Sequence, residues 1–259
     1  MVAPMTVIRD LAEAHAALGD ALDGARRAVV LTGAGISTQS GIPDFRSPGG
    51  IWSRMEPITY QAFVASEDAR LEDWRRRFEM ADLFAHAEPN AAHRAIAALA
   101  ADGPVDLVVT QNIDGLHRRA GLAGDQLIEI HGSGDHATCL DCGLTHSIDD
   151  AKSAIERTGA APRCRTCGGL VKAAVVSFGQ AMPEAALARA QEASLQADLF
   201  IAAGTSLVVY PVAALPPLAK SAGAKLAILS AAATEQDRMA DFVIRTPLSE
   251  TFRPWERTI

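Results

Sequence analysis

The chain has 259 residues, of which 49% are hydrophobic and 21% charged, and its formal net charge at pH 7 is −7. A chain of this length can form one large core and one smaller module. Its longest basic run is Arg75 to Arg77, so the charge pattern argues against a protein that binds nucleic acid or a membrane surface.

The elements in chain order indicate a cytoplasmic α/β protein. Arg9, Asp10 and Glu13 interrupt the stretch in which a signal peptide needs an apolar core. Alanine and leucine predict a helix over residues 6–25, and capping residues predict helices over 90–102 and 183–196. Four short, nearly uncharged runs predict strands: "AVVLTGAG", "VDLVVTQNIDG", "ADLFIAAGTS" and "KLAILSAAAT".

Strands that alternate with helices predict a Rossmann-like, doubly wound parallel sheet with both faces covered. One uncharged stretch, "LFIAAGTSLVVYPVAALPPLA", has the length of a membrane span, but glycine and proline residues interrupt it. It favours a strand, a loop and a short helix, and we expect no membrane contact.

Two segments break this alternation. Residues 48–89 have a helical and irregular pattern, and residues 134–172 contain all four cysteines. We interpret both as insertions that together form a smaller lobe, a helical segment plus a cysteine module. The main domain would then comprise residues 1–47, 90–133 and 173–259.

The cysteines form two C-x-x-C pairs, Cys139 with Cys142 and Cys164 with Cys167, with 21 residues between the pairs. A two-residue gap lets both thiolates of a pair reach one tetrahedral centre. Two disulfides are disfavoured in a cytosolic chain, and redox-active pairs would not need to occur twice. We predict one zinc ion, and its role is structural because four thiolates leave no open coordination position.

Polar, glycine-containing turns follow three of the predicted strands. In "TGAGISTQSGIPDFR", Gly33 and Gly35 match a G-x-G-x-x-G loop, but Thr38 stands at the third position. Alone, this turn is as typical of a plain strand-to-helix connection as of a phosphate-binding loop. "TQNIDGLH" and "GTSL" follow two further strands, and the carboxyl ends of parallel strands meet at one crevice.

Each polar residue in these turns has a purely structural alternative. Asn112 and Asp114 could satisfy turn amides, residues 204–206 could cap a helix, and His131 could bond a carbonyl group. Their combination favours a dinucleotide site, which needs backbone amides for phosphates and side chains for the ribose and carboxamide.

The motifs also occur in the order of a known family. "GAGISTQSGIPDFR", "TQNIDGLH", "HG", the C-x-x-C pairs, "VVSFGQ" and "GTSL" extend from about residue 28 to about residue 245. In this combination the chain resembles the bacterial-type sirtuins, NAD-dependent protein-lysine deacylases with a structural zinc module. The resemblance implies a transferase that converts NAD and acyl-lysine into nicotinamide, O-acyl-ADP-ribose and free lysine.

The resemblance also implies the NAD contacts. The first loop would wrap the phosphates, Phe45 would shield the reactive sugar carbon, and Arg46 would contact the cofactor. The "TQNIDGLH" loop would hold the nicotinamide ribose and carboxamide, and the "GTSL" loop would hold the adenosine half. The implied residues are Gly33, Ala34, Gly35, Ile36, Ser37, Asp44, Phe45, Arg46, Gln111, Asn112, Ile113, Asp114, Gly204, Thr205, Ser206 and Ser230.

His131 matches the family's catalytic histidine, and Asn112 is the second implied catalytic residue. The imidazole would act as a general base toward a ribose hydroxyl, a task suited to its pKa. Acyl-lysine protein segments would bind by strand addition along "AAVVSFGQ", at Val175, Val176, Phe178 and Gly179, which could equally be core residues. We expect a monomer.

The sequence departs from the family pattern at several positions. Ser230 stands where an asparagine is usual, which affects the adenosine contact, and Gln180 replaces a glutamate. Sirtuins that prefer succinyl or malonyl groups carry a Y-x-x-R pair, but Arg77 and Met80 occupy those positions here. We therefore expect an acetyl or another uncharged acyl group. Arg75 to Arg77 could contribute a cation if the alignment register differs, but we interpret them as a solvated helix face.

Two alternatives remain at this point. Mono-ADP-ribosyl transfer would use the same bond cleavage, although Asn112 and His131 favour deacylation. A non-catalytic NAD sensor with a zinc module has no need of a histidine beside the ribose.

Overall fold

The computed structural model describes residues 6–53, 55–122 and 124–257. Its strands are β1 (Thr6–Ile8), β2 (Ala28–Thr32), β3 (Val105–Thr110), β4 (Leu127–Glu129), β5 (Gly132–Cys139), β6 (Thr145–Ser147), β7 (Val171–Val175), β8 (Leu199–Ala203), β9 (Lys225–Leu229) and β10 (Phe242–Ile244). Its α-helices are α1 (Leu11–Asp23), α2 (Tyr60–Ala65), α3 (Glu67–His86), α4 (Ala91–Asp102), α5 (Leu116–Arg119), α6 (Ile148–Thr158), α7 (Glu184–Gln196), α8 (Leu215–Ser221) and α9 (Leu248–Phe252).

Seven strands form the large sheet, in the spatial order β1, β10, β9, β8, β2, β3, β4. All six strand pairings are parallel. From the central β2 the chain builds outward through β3 and β4 on one side and through β8, β9 and β10 on the other. This arrangement confirms the predicted doubly wound sheet, whose strand order reverses at β2.

Alternate residues of the central strands enter two separate cores. Ala28 and Val30 of β2 pack on one face with helices α1, α4 and α9, while Val29 and Leu31 pack on the other face with α7 and α8. Every residue of β2 and β8 is buried. Burial on both faces explains why these strands are continuous apolar runs without alternating polar positions.

A second, three-stranded antiparallel sheet has the order β6, β5, β7. It has its own small core, in which Trp74 of α3 packs against Ala137 and Cys139 of β5 and Ala151 of α6. We propose that residues 48–89 and 134–172 form one small domain, because this core contains side chains from both insertions.

Several predicted elements are confirmed, and a few boundaries are wrong. Helices α4 and α7 match the predictions, and the long uncharged stretch forms β8, a loop and α8. The helix predicted over 6–25 begins only at Leu11, because Thr6–Ile8 instead pair with β10 at the sheet edge. Within the described ranges, no helix has both the length and the apolar character that a membrane span requires.

Gly132, at the start of β5, permits a close backbone contact. Its φ is +80°, and a β-carbon there would lie 2.0 Å from the carbonyl oxygen of Ala174. Gly159, after α6, has φ +69° with open space around it. We therefore expect Gly132→Ala to lower the free energy of unfolding by about 3 kcal/mol or more, and Gly159→Ala by about 1 kcal/mol. Urea unfolding measures both values, and equal losses would contradict the steric argument.

Candidate active site

The carboxyl ends of β2, β3, β8, β9 and β10 meet at one edge of the large sheet. A cavity of about 910 Å³ lies against this edge. It is at the position where the strand order reverses, which is where open α/β sheets bind ligands. Its walls include most of the predicted cofactor residues: Gly33, Ala34, Gly35, Asp44, Phe45, Arg46, Gln111, Asn112, Ile113, Gly204, Thr205, Ser206 and Ser230.

The turns after β2 and β8 lie directly on each other. The Gly35 amide donates to the Gly204 carbonyl oxygen at 2.8 Å. A β-carbon on Gly204, whose φ is +65°, would lie 2.4 Å from the backbone nitrogen of Ile36. The glycines of these motifs are therefore required for backbone contact between the two turns, which brings both loops to one wall of the cavity.

Gln111 links three strand ends. Its backbone amide donates to the Thr32 carbonyl oxygen at 2.9 Å, after β2, and its Nε2 donates to Thr205 Oγ1 at 2.8 Å, after β8. Its own carbonyl oxygen accepts from His131 Nδ1 at 3.1 Å. One residue thus fixes the spacing of the loops that surround the cavity.

Behind the wall, Ser37 connects two of the predicted cofactor residues. Its hydroxyl donates to Asp114 Oδ2 at 2.7 Å and accepts from Asn112 Nδ2 at 3.1 Å, while Asn112 Nδ2 also donates to the Gly33 carbonyl oxygen. Burial raises the pKa of Asp114. Asn112 lines the cavity, and Ile36 and Ser37 are buried behind its lining. Asp114 is half-buried and follows the lining residue Ile113, but does not line the cavity itself.

His131 is held in a defined tautomer. Its Nδ1 lies 3.1 Å from the Gln111 carbonyl oxygen. Because a carbonyl oxygen only accepts, Nδ1 carries the proton, and the neutral ring keeps its lone pair at Nε2. Burial lowers the pKa of His131 below its ordinary value of 6.5. The side chain lines the cavity as a neutral base at physiological pH.

Two other histidines are buried beneath the loops. The rings of His93 and His117 are 4.9 Å apart, and His117 Nε2 lies 2.9 Å from Thr32 Oγ1. Burial lowers the pKa of His117 to about 4 and that of His93 well below the ordinary range. Neither lines the cavity, so they support the loops as neutral side chains.

An aromatic cluster covers the outer part of the cavity. The Trp52 ring lies 5.4 Å from the ring of Phe45 and 5.4 Å from that of Phe178. The Arg46 guanidinium stacks 4.1 Å from the Trp52 ring centre. Our sequence analysis missed Trp52, although a tryptophan two residues after the glycine pair in "SPGGIW" was an available signal.

The predicted substrate segment forms another wall. Val175, Val176, Phe178 and Gly179 line the cavity. The segment continues from β7, which pairs with β5 on one side and is an edge of its sheet. The Val176 amide donates to the His131 carbonyl oxygen at 2.8 Å, so this strand end is joined to the histidine.

Helix α3 contributes four residues to the cavity, and two of them, Arg76 and Arg77, were predicted to lie in solvent. Asp73, Arg76, Arg77 and Met80 of α3 line the cavity. The side chains of Arg76 and Arg77 are only 21% and 18% exposed, whereas that of Arg75 is 54% exposed. The interpretation as a solvated helix face is therefore wrong for Arg76 and Arg77 and holds for Arg75.

Ser230 and Gln180, two of the departures from the family pattern, also lie at the cavity. Ser230 follows β9, and its backbone carbonyl accepts from Arg245 Nη1 at 2.6 Å. Gln180 Oε1 accepts from the Ser177 amide at 3.1 Å, which closes the turn after the substrate segment without a charge.

The four cysteines are positioned to bind one metal ion. Their sulfur atoms all lie within 4.8 Å of one another, with Cys139 and Cys167 at 3.4 Å and Cys142 and Cys164 at 3.7 Å. These separations exceed a disulfide bond and match tetrahedral coordination by thiolates at about 2.3 Å. The thiol set fits a structural zinc, and none of the four side chains lines the cavity.

The family comparison agrees with this geometry. A model of the Sir2 family matches residues 33–211, which include the loops after β2, β3 and β8, the histidine and all four cysteines. The chain belongs to the Sir2 family. The resemblance to sirtuins stated from the motifs is thereby confirmed.

The relatives of this sirtuin span nearly its whole length. An NAD-dependent protein deacetylase of Rhodopseudomonas palustris is 52% identical over 92% of this chain and 94% of its own. NAD-dependent protein deacetylase 1 of Bradyrhizobium diazoefficiens is 50% identical over 96% and 98%. A solved Sir2 variant with a deacetylated p53 peptide and 3'-O-acetyl ADP-ribose superimposes with a TM-score of 0.85, at 36% identity over 92% and 95%.

Proposed function

We propose that this sirtuin is an NAD-dependent protein-lysine deacetylase, or more broadly a deacylase of uncharged acyl groups. The observation that carries the proposal is the neutral His131 imidazole, whose free Nε2 lies in a cavity shared by the strand-end loops and the β7 strand end. The curated relatives are named as NAD-dependent protein deacetylases, and the related complex contains two of the three expected products, a deacetylated peptide and an acetyl-ADP-ribose.

The cavity suits a dinucleotide. Its backbone-rich loops after β2 and β8 suit phosphates, while Gln111 and Asn112 offer uncharged amide groups for ribose hydroxyls. Asp114, supported by Ser37, would accept hydrogen bonds from a carboxamide near Ile113. When bound, NAD supplies the ADP-ribosyl group that accepts the acyl group as nicotinamide leaves.

In this proposal, Nε2 of His131 accepts a proton from a ribose hydroxyl. The Gln111 carbonyl oxygen, which accepts a hydrogen bond from Nδ1, stabilises the imidazolium that results. Asn112, held by Gly33 and Ser37, orients the same ribose. Phe45 and Trp52 exclude water from the reacting carbon. An acyl-lysine segment adds to the free edge of β7 and its continuation through Phe178, which places its lysine toward His131.

The direct test is to incubate the purified protein with NAD and an acetyl-lysine peptide and to follow the products by mass spectrometry. We expect deacetylated peptide, nicotinamide and O-acetyl-ADP-ribose in equal amounts, and little turnover of a succinyl-lysine peptide. Consumption of NAD without deacetylated peptide would instead support ADP-ribosyl transfer, and binding of NAD without consumption would support a sensor.

The pH dependence should reflect the same imidazole. Burial lowers the pKa of His131 below 6.5, and the charge of Arg46 lowers it further, against the hydrogen bond to Gln111. Because the base must be neutral, we expect the acid limb of kcat/KM to have its midpoint below pH 6.5. A pH–rate profile at saturating NAD measures this midpoint, and a value above pH 7 would contradict the assignment.

We also propose that the protein acts as a cytoplasmic monomer without a nucleic-acid partner. Four thiols gathered around one metal site suit a reducing compartment, and one chain supplies every cavity wall described above. Size-exclusion chromatography with light scattering tests the oligomeric state.

A further inference from the structure

A charged pair lies at one end of the cavity, on helix α3. Met80 packs against Ile113 and Val175, close to the proposed reaction centre. Arg77 and Asp73 follow on the same helix face, and one helical turn, about 5 Å, separates Met80 from Arg77. An acyl chain that extends along Met80 would therefore end near the Arg77 guanidinium.

Arg77 retains hydrogen-bonding capacity at this position. Its Nη2 donates to Asp73 Oδ1 over a long 3.4 Å, and Asp73 is only 4% exposed. In the described part of the chain this is the only hydrogen bond of the guanidinium, and its Nε is buried without a partner. Arg76 differs, because it donates to the Glu72 carboxylate and to the Glu56 carbonyl oxygen.

The charges of the described residues around this end of the cavity balance. Lys172 is buried behind it and donates to the backbone carbonyls of Ala173 and Val175, so it is not available to a ligand. Among the described residues, four cations stand against four carboxylates, with Asp73 already beside Arg77: Arg75, Arg76, Arg77 and Lys172 against Glu56, Glu72, Glu79 and Asp73. A ligand carboxylate would approach Asp73 without an excess positive charge to compensate it.

We infer that Arg77, oriented by Asp73, donates a hydrogen bond to the distal end of the acyl group. The enzyme then prefers acyl-lysines whose chain carries an uncharged oxygen acceptor, such as a hydroxyacyl group, over aliphatic chains of the same length. This inference rests on the proposed function and names its substrate class. An aliphatic chain would cover the guanidinium and leave its donors unpaired.

The test compares three peptides that differ only in a four-carbon acyl group: butyryl-, 3-hydroxybutyryl- and succinyl-lysine. We expect kcat/KM for hydroxybutyryl to exceed that for butyryl by about tenfold, the effect of one charge-assisted hydrogen bond. Succinyl should remain below hydroxybutyryl. A ratio of hydroxybutyryl to butyryl of one or less overturns the inference, and so does succinyl as the best substrate.

Variants assign the preference to Arg77. Arg77→Met should bring the hydroxybutyryl-to-butyryl ratio to about one, whereas Arg75→Met, on the solvent side of the same helix, should keep the wild-type ratio. Because Arg77→Met leaves the buried Asp73 carboxylate unpaired, Asp73→Asn/Arg77→Met serves as a second variant if the first fails to fold. A wild-type ratio in a folded variant that lacks Arg77 overturns the assignment.

Turnover of an acetyl-lysine peptide in the same experiment distinguishes failure of the inference about Arg77 from failure of the proposed function. If acetyl-lysine and butyryl-lysine are deacylated but hydroxybutyryl is not preferred, only the inference about Arg77 fails. If no acyl-lysine peptide is deacylated, the proposed function itself fails.

Discussion

Replacing His131 by alanine is expected to lower kcat/KM for deacylation by about 100- to 10,000-fold, the usual contribution of a general base. Within the described residues the histidine side chain makes one hydrogen bond, to the Gln111 carbonyl oxygen. Its removal therefore takes away the Nε2 base and leaves the loops linked through Thr32 and Thr205. We therefore expect KM for NAD to change far less than kcat.

The matched control is His136→Ala. His136 lies on β5, five residues after His131, has an exposed side chain paired with Asp135, and does not line the cavity. It should retain wild-type turnover. Both variants should keep the wild-type unfolding midpoint and metal content, and His131→Ala activity within tenfold of wild type would refute the general-base role.

Removal of the metal is the second large effect. Four thiolates within 4.8 Å repel one another without an ion, and a zinc ion in such a site contributes on the order of 10 kcal/mol to folding of its module. We expect a strong chelator to abolish amide hydrogen-exchange protection in residues 132–175 while β2 and β8 stay protected. Deacylation should be lost at the same time, because the Val176 amide holds the His131 backbone.

Cys164→Ser should reproduce the effect of the chelator, and Thr166→Ser, at an exposed position between two of the cysteines, should not. Elemental analysis should find one zinc ion per chain in the wild type and in Thr166→Ser. Full protection of residues 132–175 in metal-free protein would show that the small sheet folds without an ion.

The sequence was sufficient to predict the central sheet and most of the loops at its edge. Strands β2, β3, β8 and β9 are buried on both faces, so each is a distinct apolar run whose end marks a turn. The short strands β1, β4 and β10 have only three residues each, too few for a periodic pattern. Strands β4 and β10 form on the longer β3 and β9, and β1 then pairs with β10.

The parts that the sequence did not predict depend on tertiary packing. Arg76 and Arg77 belong to a run of three arginines, and only the packing of Trp74 into the small core determines which face of α3 turns toward the cavity. Trp52 contacts Phe45 in its own loop segment and Phe178 in a segment far along the chain. A local pattern contains no information about the contact with Phe178.

The connection from β4 of the large sheet to β5 of the small sheet tolerates no change in length. Strand β4 of the large sheet ends at Glu129 and β5 of the small sheet begins at Gly132, so only Ile130 and His131 join them. Ile130 is fully buried in the core, and His131 faces the cavity. Because consecutive side chains point in opposite directions, one inserted or deleted residue would turn the imidazole into the apolar core and bring an aliphatic group to the ligand. Variation in chain length among functional relatives should therefore be confined to other connections.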